Sequence, residues 1–105
     1  GVTLLEEPDS SYFSNHWLTT IVMDPSKTSV TPDDLRLALE KENIESRPLW
    51  KPMHLQPIYK DCPAYVNGVS EHLFAHGLCL PSSSSLTDED FERVTHCIQQ
   101  VFQKG

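Results

Sequence analysis

Four prolines fall within one short stretch of the chain, at positions 48, 52, 57 and 63. Each removes a backbone donor and holds φ near about −65°, so at most a single helical turn fits between neighbours. The stretch is not a disordered linker, because Leu49, Trp50, Met53, Leu55, Ile58 and Tyr59 supply the large apolar side chains that disordered segments lack. Loops longer than ~12–15 residues inside a compact domain are usually functional when they are ordered. The sequence therefore predicts an ordered, packed loop from Pro48 to Pro63, with short regular elements on either side.

Charge sets this loop apart. The chain has 8 basic and 15 acidic residues, a net of −7. That balance excludes a general nucleic-acid binder, because phosphate neutralisation needs clustered Lys and Arg. Yet Ser46 to Lys60 holds three of the eight basic residues and no acid, together with Trp50, Tyr59 and His54. At 105 residues there is room for one domain. No unbroken apolar run exceeds the three residues Ile21–Met23, far short of the ~18–20 of a membrane span. No charged-then-apolar leader is read. Cys62, Cys79 and Cys97 form no CxxC pair and read as reduced thiols of a cytoplasmic protein.

Asn15 to Met23 combines Trp, Ile, Val and Thr, types that suit a half-buried pleated surface, and reads as a strand stopped by Asp24-Pro25-Ser26. Glu6 to Ser14 is polar and acidic and reads as a connector. Thr31-Pro32-Asp33-Asp34 starts a helix: Thr caps free amides, Pro tolerates the first position, and carboxylates favour the positive end. Leu35, Ala38 and Leu39 share one face of it, and Asn43 stops it. Ile44 to Leu49 reads as a short strand. Asn67 to His76 reads as a helix closed by Gly77, and Leu78-Cys79-Leu80 as a buried strand. Ser82 to Ser85 is a solvated turn. Thr87 opens the last helix, with an apolar stripe of Phe91, Val94, Ile98, Val101 and Phe102. The expected core is Ile21, Leu35, Leu39, Leu73, Leu80, Phe91, Val94 and Ile98. The order β-α-β-loop-α-β-α predicts an α+β fold, a small mainly antiparallel sheet with helices packed on one side.

Few residues are placed for chemistry. His72 and His76 lie four apart on a helix, but Leu-Phe-Ala between them is not a zinc-protease pattern, so no metal is expected. Cys62 beside Asp61 and Cys79 between leucines lack the electropositive setting of a nucleophile. There is no GxSxG elbow and no glycine-rich phosphate loop. The basic aromatic loop remains. Arg47 offers a planar fork to phosphate or carboxylate, Lys51 a point charge, Trp50 and Tyr59 stacking surface, and His54 a proton donor or acceptor. A ring-containing, phosphate-bearing ligand would suit this set. Equally, Arg47 and Lys51 could neutralise the surrounding acid while Trp50 serves as core.

The run Glu45-Ser46-Arg47-Pro48-Leu49-Trp50-Lys51-Pro52-Met53-His54-Leu55-Gln56-Pro57 resembles a hallmark stretch of the sugar aminotransferases of the DegT/DnrJ/StrS family. Asn15-His16-Trp17-Leu18 resembles the first strand of that family's small domain. Thr31 to Ile44 resembles its helix followed by Ile-x-x-Arg-Pro, and Gly77 to Thr87 its late strand and Leu-Pro turn. The similarity runs from Ser14 onward in one order and spacing. It implies the C-terminal small domain of a fold type I enzyme dependent on pyridoxal 5'-phosphate (PLP), with residues 1–13 as connector from a missing large domain and 14–105 as the small domain.

By resemblance, the full-length enzyme would transfer an amino group, usually from glutamate, to a keto group on a nucleotide-linked sugar for bacterial surface polysaccharide or glycan synthesis. It would be cytoplasmic and homodimeric, with no nucleic-acid or membrane partner. Arg47, Trp50, Lys51, Met53 and His54 map onto the loop that faces the nucleotide sugar. None of Lys27, Lys41, Lys51, Lys60 or Lys104 resembles the cofactor-linking lysine, so no catalytic or cofactor-binding residue is assigned, and the chain alone is expected to be inactive. The Ser82–Ser85 run departs from bulkier residues in other branches, which leaves the substrate branch open. Two alternatives stand beside this reading: a PLP-dependent sugar dehydratase of the same family, and a free-standing ferredoxin-like binding module.

Overall fold

The computed structural model describes residues 1–104. In chain order its elements are β1 (Val2–Leu4), β2 (Thr19–Met23), α1 (Pro32–Lys41), β3 (Arg47–Pro48), α2 (Val69–His76), β4 (Gly77–Leu80) and α3 (Asp88–Lys104). Two single 3-10 turns, Met53–Leu55 and Pro57–Tyr59, occupy the proline-rich loop, as the spacing of its prolines requires.

Both long helices start where local chemistry places them. At α1 the Asp34 amide donates to Thr31 Oγ1 at 3.1 Å, and the Thr31 amide donates back to Asp34 Oδ2 at 2.9 Å. Thr87 and Asp90 repeat the exchange at α3, at 3.1 and 3.0 Å. Each box satisfies two amides that the first turn would otherwise leave bare.

The sheet is antiparallel throughout, in the order β1-β2-β4-β3. Ile21 stands opposite Leu78, and the period of two puts Met23 on the same face as Ile21. Onto these residues fold Leu35 and Leu39 of α1, both fully buried, with Val30, Ile44 and Cys97. Ala38, Leu80, Val94, Ile98, Val101 and Phe102 close around that cluster. Fully burying a Leu or Ile side chain stabilises by about 1.5–3 kcal/mol, so this one cluster supplies the dominant driving force.

The fold class is the expected one: a small antiparallel α+β domain. Several local expectations are corrected. Val2–Leu4 adds an edge strand at the start of the segment read as connector, although all three residues are exposed. The strand expected from Asn15 begins only at Thr19, because His16 takes a left-handed φ of 51° and turns the chain. The strand expected over Ile44–Leu49 shortens to Arg47–Pro48, where proline's missing donor limits the ladder. The helix expected from Asn67 starts at Val69, after Gly68 at φ 85°. Leu73 is only half-buried and lies outside the main cluster. Phe91 is 63% exposed: it occupies the first turn of α3, ahead of Val94 and Cys97, where the helix joins the core. Met23, Leu78, Val30, Ile44 and Cys97 are the core residues the expected list lacked.

Gly77 does mark the junction of α2 and β4, but for an unexpected reason. Its φ of −103° is ordinary extended backbone. A Cβ there would lie 2.3 Å from Leu49 Cδ1 and 2.6 Å from the Leu73 carbonyl oxygen. The position excludes a side chain through close approach. No helix among the described residues is long and apolar enough to cross a membrane.

Candidate functional site

Beside β3 and the proline-rich loop lies a groove of about 1190 Å³. Trp17, Trp50 and Lys51 line one part of it, Cys79 to Ser83 another, and Arg93 and Val94 of α3 a third. Short local contacts set the position of Trp17. The His16 amide donates to Ser14 Oγ and the Trp17 amide to Asn15 Oδ1, and together with the left-handed His16 they turn the chain ahead of β2. The Thr19 amide then donates to Ser82 Oγ at 2.8 Å, while that hydroxyl donates to the Leu80 carbonyl at 2.8 Å. One serine thus ties the start of β2 to the end of β4.

The indoles of Trp17 and Trp50 meet at 6.2 Å between centroids, tilted by 42°. Trp17 is 69% and Trp50 68% exposed, so Trp50 is not core. An exposed aromatic pair at a groove's rim is surface available for a ring or an apolar sugar face.

Arg47 directs both Nε and Nη2 to Glu45 Oε1, at 2.7 and 2.6 Å. Both side chains are over 70% exposed, and a solvent-facing pair of this kind contributes about 0–1 kcal/mol. Glu45 is therefore a partner that an incoming anion can replace at small cost. Arg36 is engaged by Asp33 and Glu40, and Arg93 donates to the Glu42 carbonyl. Lys51 is exposed and has no ion pair among the described residues. Asp90, also in the lining, is held below the usual carboxylate range by the amide and hydroxyl of Thr87, so it stays anionic at neutral pH.

Of the five residues expected to face a ligand, Arg47, Trp50 and Lys51 line the groove together. Met53 and His54 do not line it and sit on the adjoining 3-10 turn. Met53 is exposed, with Gln56 Nε2 donating to its sulfur at 3.6 Å. His54 is mostly covered, and its Nε2 lies 2.5 Å from Glu71 Oε1 on α2. The sequence reading missed Trp17, Ser82 and Glu71 as parts of this arrangement. Only for Trp17 was there a local signal, an aromatic among polar residues just ahead of a strand.

Other reactive groups are not set up for chemistry. Burial pushes the Cys79 and Cys97 thiols up, away from thiolate character. The His72 and His76 rings stack at 4.4 Å, with His76 Nδ1 donating to the His72 carbonyl oxygen. Among the described residues no three His, Cys, Asp or Glu converge to hold a metal ion.

An antiparallel α+β domain of this build recurs as a part of longer aminotransferases. The fold recurs in the aminotransferase TlmJ from Streptoalloteichus hindustanus with a TM-score of 0.82 at 20% identity, covering 99% of this chain and 27% of that one. It also recurs in a DegT DnrJ EryC1 StrS aminotransferase from Brucella abortus, with a TM-score of 0.65 at 28% identity, covering 81% of this chain and 22% of that one.

The chain belongs to the DegT/DnrJ/EryC1/StrS aminotransferase family, whose profile matches residues 1–99. It is 41% identical over 93 residues to EpsN of Bacillus subtilis, named as a pyridoxal phosphate-dependent aminotransferase, covering 85% of this chain and 23% of that protein. It is 33% identical over 91 residues to a GDP-perosamine synthase of Vibrio cholerae, covering 86% of this chain and 24% of that protein. The chain thus spans about a quarter of the length of these relatives.

Proposed function

We propose that this chain is the nucleotide-sugar-facing small domain of a PLP-dependent aminotransferase, which moves an amino group from a donor such as glutamate to a keto group on the sugar. Residues 14–105 form the body of that domain, and residues 1–13 lead into it from the large domain, with Val2–Leu4 pairing onto β2 as its edge strand. The observation that carries the reading is the groove: two exposed indoles beside a lysine without an ion pair and an arginine whose one anionic partner is replaceable, among the described residues. Membership of the family and similarity to a GDP-perosamine synthase support the substrate class.

The residues described here do not fit the cofactor by themselves. A lysine that bonds covalently to PLP works from a desolvated pocket. Lys27 pairs with Asp24 in the turn after β2, and Lys41, Lys51 and Lys60 are exposed. The exposure of these lysines supports placing the cofactor in the part of the enzyme outside this chain, in a homodimer. The work of this chain is to bind and orient. Lys51 and Arg47 counter the diphosphate charge, Trp17 and Trp50 cover an apolar ring face, and the loop shields that end of the groove from water.

The test is Lys51→Ala and Trp50→Ala in the complete enzyme, with the two half-reactions followed separately by stopped flow. Losing a charge-assisted contact costs roughly 1.5–3 kcal/mol, so KM for the nucleotide sugar should rise about ten- to hundredfold. The half-reaction with the amino donor should keep its rate. Equal damage to both halves would mean that the loop supports the fold or the cofactor and does not read the sugar.

A further inference from the structure

The loop that presents Trp50 and Lys51 has few anchors. It forms only two single turns, and residues 57–67 are exposed without a break. Pro52 is buried, and Leu49 rests against Gly77. With one exception, the hydrogen bonds of residues 51–62 close within the loop itself, among the described residues. The exception is His54, whose Nε2 reaches Glu71 Oε1 at 2.5 Å across a separation of seventeen residues. His54 is 19% exposed and Glu71 45%, so the contact is partly withdrawn from water.

We infer that Glu71 is a positioning residue for the groove: from α2 its carboxylate accepts a hydrogen bond from His54 and holds the Met53–Leu55 turn, and with it Trp50 and Lys51, at the rim. An ionised carboxylate can only accept, so Nε2 of His54 must carry the proton, and the ring orientation is thereby set. α2 is a suitable base because it runs directly into β4, an inner strand that pairs with both β2 and β3. The contact therefore ties the loop side of the groove to a strand paired along both of its edges. His54 acts through the loop's pose and not by touching the ligand. Calling the groove a sugar site rests on the function proposed above. The clamp itself does not.

The experiment uses the 105-residue chain first, with no ligand. Its two tryptophans are Trp17 and Trp50, so indole emission and the backbone amide resonances of residues 50–60 both report the loop's position. Glu71→Ala and His54→Ala should each move the same amides to the same positions and change the emission, with the population of the open loop rising about tenfold. The double variant should add nothing further. Glu71→Gln, whose side-chain carbonyl still accepts from Nε2, should keep the wild-type spectrum. In the complete enzyme, Glu71→Ala should raise KM for the nucleotide sugar about tenfold and leave the amino-donor half-reaction intact, with Glu71→Gln restoring it. Loop amides that stay in place in folded His54→Ala, or effects of the two single variants that add, would overturn the clamp. Should Glu71→Ala fail to fold, His54→Ala and Glu71→Gln decide the matter by the same spectra. Loop amides that shift while KM does not would leave the clamp standing and refute the sugar reading instead.

Discussion

Replacing Gly77 by Ala sets two effects against each other, and the structure says which prevails. At φ −103° and ψ 157° the residue lies in backbone space open to any side chain. On conformational grounds alone, Gly→Ala would therefore stabilise by about 0.4–1 kcal/mol through a less free unfolded chain. Against this stand three contacts of the new Cβ: 2.3 Å to Leu49 Cδ1, 2.7 Å to Leu49 Cγ and 2.6 Å to the Leu73 carbonyl oxygen. Leu49 can swing aside. The carbonyl belongs to the last turn of α2 and moves only if α2 and β4 separate. Overpacking of this kind costs about 1–3 kcal/mol, and a backbone atom among the clashes puts Gly77 in the upper half of that range. The net expectation is a loss of roughly 1–2 kcal/mol, or a Tm lower by about 5–15 °C for a chain of this size. Urea and thermal unfolding of the chain, followed by circular dichroism, measure it. Leu49→Ala combined with Gly77→Ala removes two of the three clashes, so its cost should fall short of the sum of the singles by about 1 kcal/mol. A Gly77→Ala chain as stable as the parent, or strictly additive costs in the double variant, would refute the close-approach argument.

Asp24 is held down to about 2 by the hydroxyl and amide of Ser26 and then by Lys27, at the turn that ends β2. With the native value below the unfolded one, its contribution is complete above the ordinary carboxylate range and is lost as pH falls through that of the native state. The stability gap between wild type and Asp24→Asn should therefore close between about pH 4 and pH 2 in urea titrations, and a gap of equal size at pH 2 and pH 6 would contradict it. Phe91→Ala should change stability by no more than about 0.5 kcal/mol, because the ring is 63% exposed, whereas Leu39→Ala, fully buried, should cost about 2–5 kcal/mol. Comparable urea midpoints for those two variants would show that α3 docks through Phe91 after all.

Interactions that close within three or four residues could be read from the chain directly. Thr31 with Asp34 and Thr87 with Asp90 make the boxes that start α1 and α3, and all the atoms involved lie in the same turn. The proline spacing from 48 to 63 limited that loop to single turns for an equally local reason. The local charge contrast likewise singled out Arg47, Trp50 and Lys51, which line the groove together. Periodicity misled where an element's end decides exposure: the stripe on α3 includes Phe91, but a helix face is buried only along the length that meets its partner.

The remaining features depend on residues distant in sequence. β1 is only three residues long and wholly exposed, and it exists because β2 offers an open edge. Trp17 and Trp50, thirty-three positions apart, meet because Ser82 ties the start of β2 to the end of β4. His54 carries a proton-transfer side chain in any reading of the sequence, yet its partner Glu71 sits on a helix that only the folded chain brings within 2.5 Å. Gly77 shows both levels in one residue. Its chemistry announces a boundary between elements, but the reason it must be glycine is the packing of Leu49 and the Leu73 carbonyl around it. Capping and backbone restriction are short-range forces that act within a turn, whereas burial and side-chain contact depend on which surfaces the whole chain brings together.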